Sequence, residues 1–188
     1  MTSPGGVRSA RPASPDVAGA LLGGLVAVGF GLVFVLVNSG GLPGGWTPAL
    51  RGLGAVTGVG LLALLATRHR RLTAAAAHRP VTTGSDGRRG PGRGYWVIVA
   101  GEVLALFGGL SVINRGFEAP RYGVAWVAVV VGVHFVALAR VWRLTRFLVL
   151  GAAMTVLGVA GAGLGLAGAG DAAIRLVSGV ASGFALFA

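Results

Sequence analysis

Apolar and polar positions alternate along this chain in long blocks. Six blocks are dominated by Ala, Gly, Leu, Phe and Val, over residues 17–37, 49–67, 95–113, 122–139, 147–169 and 172–187. A hydrocarbon layer of ~30 Å is crossed by ~20 helical residues, with a range of about 17–25. Five blocks have that length. None shows the strict two-residue alternation over about 10 residues that marks a membrane barrel strand. The pattern predicts an all-α fold, a polytopic membrane bundle of six transmembrane helices. The sixth block is short and holds Arg175. It reads either as a full span with a snorkelling arginine or as a partly inserted helix, and the full span is the expectation.

The breaks between blocks predict the organisation. Residues 1–16 carry Pro4, Pro12 and Pro15 and read as a disordered cytoplasmic tail. The remainder, 17–188, reads as one transmembrane domain. The first block exceeds the 7–15 residues, roughly, of a signal-peptide core, so it reads as an uncleaved helix. Residues 38–48 (NSGGLPGGWTP) form a short uncharged turn. Residues 68–94 form a long basic loop whose start, RHRRLTAAAA, extends the second helix, and whose end, TTGSDGRRGPGRG, reads as flexible linker. RVWRLTR at 140–146 is a tight basic turn. Asp171 stands where it would cap the last helix.

Composition agrees with this class and closes off others. Of 188 residues, 54% are hydrophobic and only 11% charged, where a soluble domain carries about 25%. Mean hydropathy is +0.81. There is no cysteine, which excludes disulfides, Cys-ligated zinc and iron–sulfur clusters, and no cofactor is expected. All sixteen basic residues are arginine, alongside 35 glycines. That bias points to a GC-rich, bacterial source and hence to a bacterial cytoplasmic membrane.

A net charge of +11 on a soluble protein would suggest nucleic acid. Here it sets orientation. With the N-terminus inside, the inner surface carries Arg8, Arg11, Arg68, Arg70, Arg71, Arg79, Arg88, Arg89, Arg93, Arg140, Arg143 and Arg146. The outer surface carries Arg51, Arg115, Arg121 and Arg175. Twelve against four predicts an N-in, C-in topology. The inner arginines would also attract anionic lipid headgroups at ~1 kcal/mol per charge. No aromatics are interleaved with them, which argues against nucleic acid.

Glycine spacing predicts how the helices meet. The outward-running helices each hold a pair seven residues apart: Gly24 and Gly31, Gly101 and Gly108, Gly151 and Gly158. Two helical turns place each pair on one face, which suggests three repeated hairpins. Four-residue spacing recurs at Gly19–Gly23, Gly54–Gly58, Gly161–Gly165 and Gly179–Gly183. Such spacing lets helix backbones approach closely. Packing within one bundle is the simpler reading, and a homo-oligomer face on the fifth or sixth helix is the alternative.

Two ionisable groups fall well inside a block, Glu102 and His134. At 1.5 Å rise per residue, each lies ~9–10 Å from the inner end of its helix. The third and fourth helices are antiparallel neighbours, so the two side chains are expected at one level. The pair reads either as a lock between the two helices or as a protonatable couple in a transport or sensing path. A metal site lacks a third ligand at that depth. Gly179-Val-Ala-Ser182-Gly183 is similar to the Gly-x-Ser-Gly of rhomboid proteases, but Val180 and the reversed order of Ser and His break the match. No P-loop or paired acidic motif is present, and no catalytic residue is expected.

The stretch Val129-Val-Val-Gly132-Val-His134-Phe135-Val-Ala-Leu138-Ala139 resembles a Val-Gly-Leu-His-Phe-x-x-Leu-Ala motif of small, uncharacterised bacterial multi-pass membrane proteins. Val133 stands in place of the leucine. The resemblance marks Gly132, His134 and Phe135 and implies no activity. In layout the chain also resembles the HdeD-like acid-stress membrane proteins. The expectation from the whole chain is a non-catalytic structural or accessory membrane bundle, with a proton-linked transporter or pH sensor as the alternative.

Overall fold

Helices form over the apolar blocks and stop where glycine, proline or a polar cluster interrupts them. The computed structural model describes residues 17–77 and 93–188. The predicted N-terminal tail, and the linker end of the basic loop with Arg79, Arg88 and Arg89, lie outside the described residues. Helix α1 spans Val17–Asn38 and α2 spans Trp46–Ala77. Between them the chain reverses at Gly41 and Gly44, both at φ 72°, a conformation that strains residues bearing a Cβ. Pro43 opens a 3-10 turn, Pro43–Gly45, that feeds α2. The reversal is stitched by Thr47, whose hydroxyl donates to the Ser39 carbonyl at 2.8 Å.

Helix α3 covers Arg93–Ser111 and finishes in a wider π-helical turn, Val112–Gly116. A second 3-10 turn, Pro120–Tyr122, leads into α4, Gly123–Trp142. Only Arg143 and Leu144 separate α4 from α5, Thr145–Leu166. Arg143 adopts left-handed geometry at φ 55° and its N–H caps the Ala139 carbonyl. Helix α6 occupies 171–185, with π winding over Arg175–Ala181. Asp171 lies in its first turn, where a carboxylate suits the helix dipole, and the N-cap position expected for it is taken by Gly170. No strand occurs among the described residues.

Among the described residues, four helices are long and apolar enough to cross a membrane, over Pro43–Leu72, Arg93–Gly116, Pro120–Val141 and Thr145–Leu166. The six helices expected from the apolar blocks are present, and these four are the full-length apolar ones among the described residues. Helix α1 runs over 22 residues without a charged side chain, and α6 falls below the usual ~17 residues. RHRRLTAAAA does continue α2, as the sequence suggested, to Ala77.

The helices pack in the spatial order α2, α1, α6, α5, α4, α3, each antiparallel to the next, with α4 also reaching α6. The three sequential hairpins therefore lie side by side. The core sits in the middle of this row, where Phe34, Ala128, Val131, Met154 and Leu186 cluster. Ser178 is buried beside it and its hydroxyl donates to the Leu157 carbonyl at 3.2 Å.

Glycine controls the closest approaches. A Cβ on Gly151 would lie 2.5 Å from the Gly132 carbonyl oxygen, and one on Gly158 2.8 Å from that of Ala125. The α4–α5 seam is thus backbone against backbone. Gly31 and Gly183 face each other across α1 and α6, and Gly179 packs on Asn38. Gly24 receives Leu65, while Gly54 and Gly58 receive Val35 and Leu32. Gly161 and Gly165 pack on Ser178 and Ile174. The small-residue faces of α5 and α6, weighed above as an oligomer surface, are therefore occupied within the chain. Gly101 and Gly108 correct the shared seven-residue pattern. A Cβ at either meets nothing within 4 Å, because α3 turns that face away from α4.

Candidate functional site

The seam between α3 and α4 holds the intramembrane polar residues. Helix α4 presents two faces. Ala125, Ala128, Gly132 and Ala139 recur at intervals of three, four and seven residues and are buried, with Gly132 set against Gly151 and Thr155 of α5. Trp126 and His134, eight residues apart, face α3. Helix α3 contains no buried residue, so its attachment rests on a few specific contacts along one stripe. These come from Glu102, Ala105 and Gly109, spaced at three and four residues.

Three contacts define the stripe. Trp126 Nε1 donates to the Ala105 carbonyl at 3.0 Å. The indole fills the space left by the missing side chain of Gly109. Two helical turns further along α4, His134 Nδ1 lies 3.0 Å from Glu102 Oε2. The sequence expectation that Glu102 and His134 occupy one level thus matches a direct contact. The approach is off the ring N–H direction, and Nδ1 makes no directed hydrogen bond. The pair is close but loosely aligned, and its side chains remain 13% (His134) and 19% (Glu102) exposed.

The other motif residues divide between neighbours. Phe135 stacks on Phe147 of α5 at 5.7 Å and 10°, and meets the His134 ring edge-on at 5.8 Å. Gly132 and Phe135 therefore tie α4 to α5, while His134, between them in sequence, reaches α3. Sequence reasoning missed Trp126 and Gly109. An indole N–H in an apolar span needs an acceptor, and Trp126 shares the His134 face, which was the available signal.

Chemically, the pair admits two protonation states of equal total charge. One is carboxylate with imidazolium and the other carboxylic acid with neutral imidazole. Either keeps net charge out of an apolar surrounding, where an unpaired charge is costly. Among the described residues no three His, Asp or Glu side chains converge as metal ligands would. Neither of the two clefts described below is lined by Glu102 or His134.

Arginines partition by end. The antiparallel row places Arg68, Arg70, Arg71, Arg93, Arg140, Arg143 and Arg146 at one end, all exposed. Arg51, Arg115, Arg121 and Arg175 stand at the other, also exposed. Arg175 donates to the Gly40 carbonyl at 3.2 Å and not to Asp171. Arg121 donates to the Tyr122 hydroxyl at 3.1 Å and not to Glu118. No protein-family model, curated protein or solved structure matches the chain.

Proposed function

We propose that this chain is an integral protein of a bacterial cytoplasmic membrane, without catalytic chemistry, that serves as a structural or accessory bundle. In this reading the Glu102–His134 pair fastens α3 to the packed helices. The observation that carries it is the 3.0 Å contact on a helix that buries no residue of its own. Polar contacts between helices replace the hydrophobic drive that lipid removes, at ~0.6–2 kcal/mol each. The arginine-rich end is the cytoplasmic one by the positive-inside rule, giving N-in, C-in, with anionic headgroups as its surroundings. Because the chain has no cysteine, single cysteines placed beside Arg71 and beside Glu118 report this orientation. The first should react only after the inner face is opened to a membrane-impermeant thiol reagent.

A second reading, a small proton-linked transporter or pH sensor, is favoured by the residual exposure of the pair and its capacity to exchange a proton. Proteoliposomes with an imposed pH gradient and an internal pH dye separate the two. The structural reading expects parent vesicles to match protein-free vesicles, with Glu102→Gln and His134→Ala lowering the yield of folded protein. Flux in the parent, lost in both variants while folding stays intact, would replace it with the transport reading.

A further inference from the structure

Two clefts adjoin at the end of the bundle opposite the arginine-rich turns. The first, of about 730 Å³, is walled by Arg121, Arg175, Glu118, Asp171 and Asn38. The second, also about 730 Å³, is almost wholly apolar and lies between Tyr122, Trp126 and Val129 of one wall and Ala162, Gly163 and Leu166 of the other. Phe117 and Ala119 line both. From Tyr122 to Val129 the apolar cleft descends ~10 Å along α4. Each volume falls in the range of small-ligand sites, about 300–1,000 Å³.

The charged groups of the first cleft are held in place without satisfying one another. Arg121 is steered by Tyr122, whose hydroxyl it contacts and whose ring centroid lies 4.9 Å from the guanidinium carbon. Arg175 is anchored on a backbone carbonyl. Among the described residues neither forms an ion pair with Glu118 or Asp171. A guanidinium carries five N–H donors, so both keep donors for a ligand in the forked geometry that suits phosphate. Glu118 is held at φ 50°, an uncommon conformation for a residue with a side chain.

We infer that the two clefts together bind one phospholipid with a zwitterionic headgroup. Its phosphate meets Arg121 and Arg175, its ammonium meets Glu118 and Asp171, and the first part of an acyl chain lies along Trp126 and Gly163. Two guanidinium groups matched by two carboxylates favour a zwitterion over a purely anionic headgroup. The inference rests on the membrane reading but not on the role of Glu102 or His134.

The test uses the full chain in detergent and in nanodiscs, with bound lipid read by native mass spectrometry. Dioleoyl phosphatidylethanolamine should be retained at least about tenfold better than dioleoyl phosphatidylglycerol, and R121A/R175A should lose that retention by a similar factor. A Cβ at Gly163 meets nothing within 4 Å, so Gly163→Leu should block the apolar cleft, weaken retention and leave the melting temperature unchanged. Soluble glycerophosphoethanolamine should not compete. Equal retention of both lipids would overturn the inference, as would competition by the soluble headgroup with Gly163→Leu without effect. If R121A/R175A fails to fold, the lipid comparison and Gly163→Leu decide. Failure of the chain to enter nanodiscs would sink the membrane reading itself. Entry without lipid preference would sink only the lipid site.

Discussion

The two sides of α4 hold their neighbours by different means. Toward α5 it offers Ala125, Ala128 and Gly132, and the backbones touch through Gly132, Gly151 and Gly158. That seam is close-packed at these glycines, and dispersion between close surfaces holds it. Toward α3 it offers one indole, one imidazole and the Gly123 backbone, against which Leu110 packs, and nothing on α3 is buried. That seam is sparse, and its two polar contacts flank the indole set into Gly109. A shape-matched seam fails when atoms are added, whereas a polar seam fails when partners are removed.

The largest expected effect lies on the α5 side. Gly151→Val should destabilise by roughly 2–3 kcal/mol, since a Cβ would press on the Gly132 carbonyl and overpacking costs about 1–3 kcal/mol or more. Gly108→Val adds the same atoms where nothing stands within 4 Å, and should change unfolding by less than about 0.5 kcal/mol. Equal losses at both positions, measured by chemical unfolding in detergent, would break the comparison.

Effects on the α3 side are smaller. Trp126→Phe keeps the ring bulk but removes the donor to the Ala105 carbonyl, and should cost ~0.5–1.5 kcal/mol. Cross-linking between α3 and α4 should fall in parallel, while α4–α5 cross-linking stays at parental level. The smallest effect is expected at Ser182, which is buried with its hydroxyl unpartnered. Ser182→Ala should be neutral or slightly stabilising. Ser178→Ala, by contrast, removes a hydroxyl that donates across helices and should cost about 1 kcal/mol. A thermal melt of both variants checks the sign.

The contrast also explains what could be read from the sequence. Block length locates the helices because burial of backbone polar groups requires helix, whatever the packing. Glu102 and His134 could be matched because a helical rise converts position into depth, and a short turn makes α3 and α4 antiparallel. Spacing alone could not separate Gly151–Gly158 from Gly101–Gly108. A seven-residue interval shows that two glycines share a face but not what stands opposite. The same reasoning covers α6. Its small residues fit either packing within the bundle or a face for a second copy, and only the fold shows that Gly179 and Gly183 meet Asn38, Val35 and Gly31, contacts between residues about 150 positions apart in sequence. Trp126 is not legible as a contact residue from the pattern, because an aromatic residue in an apolar block raises hydropathy without revealing which carbonyl its N–H meets.

The claim that Glu102 and His134 fasten α3 to α4 is tested most directly by a double-mutant cycle. Unfolding free energies of the parent, Glu102→Gln, His134→Ala and the double variant would be measured in the same detergent. A fastening pair predicts coupling of roughly 0.5–1.5 kcal/mol, so that the second substitution costs less once the first is made. Additive costs within about 0.3 kcal/mol would show that the two side chains do not stabilise each other, and would contradict the account.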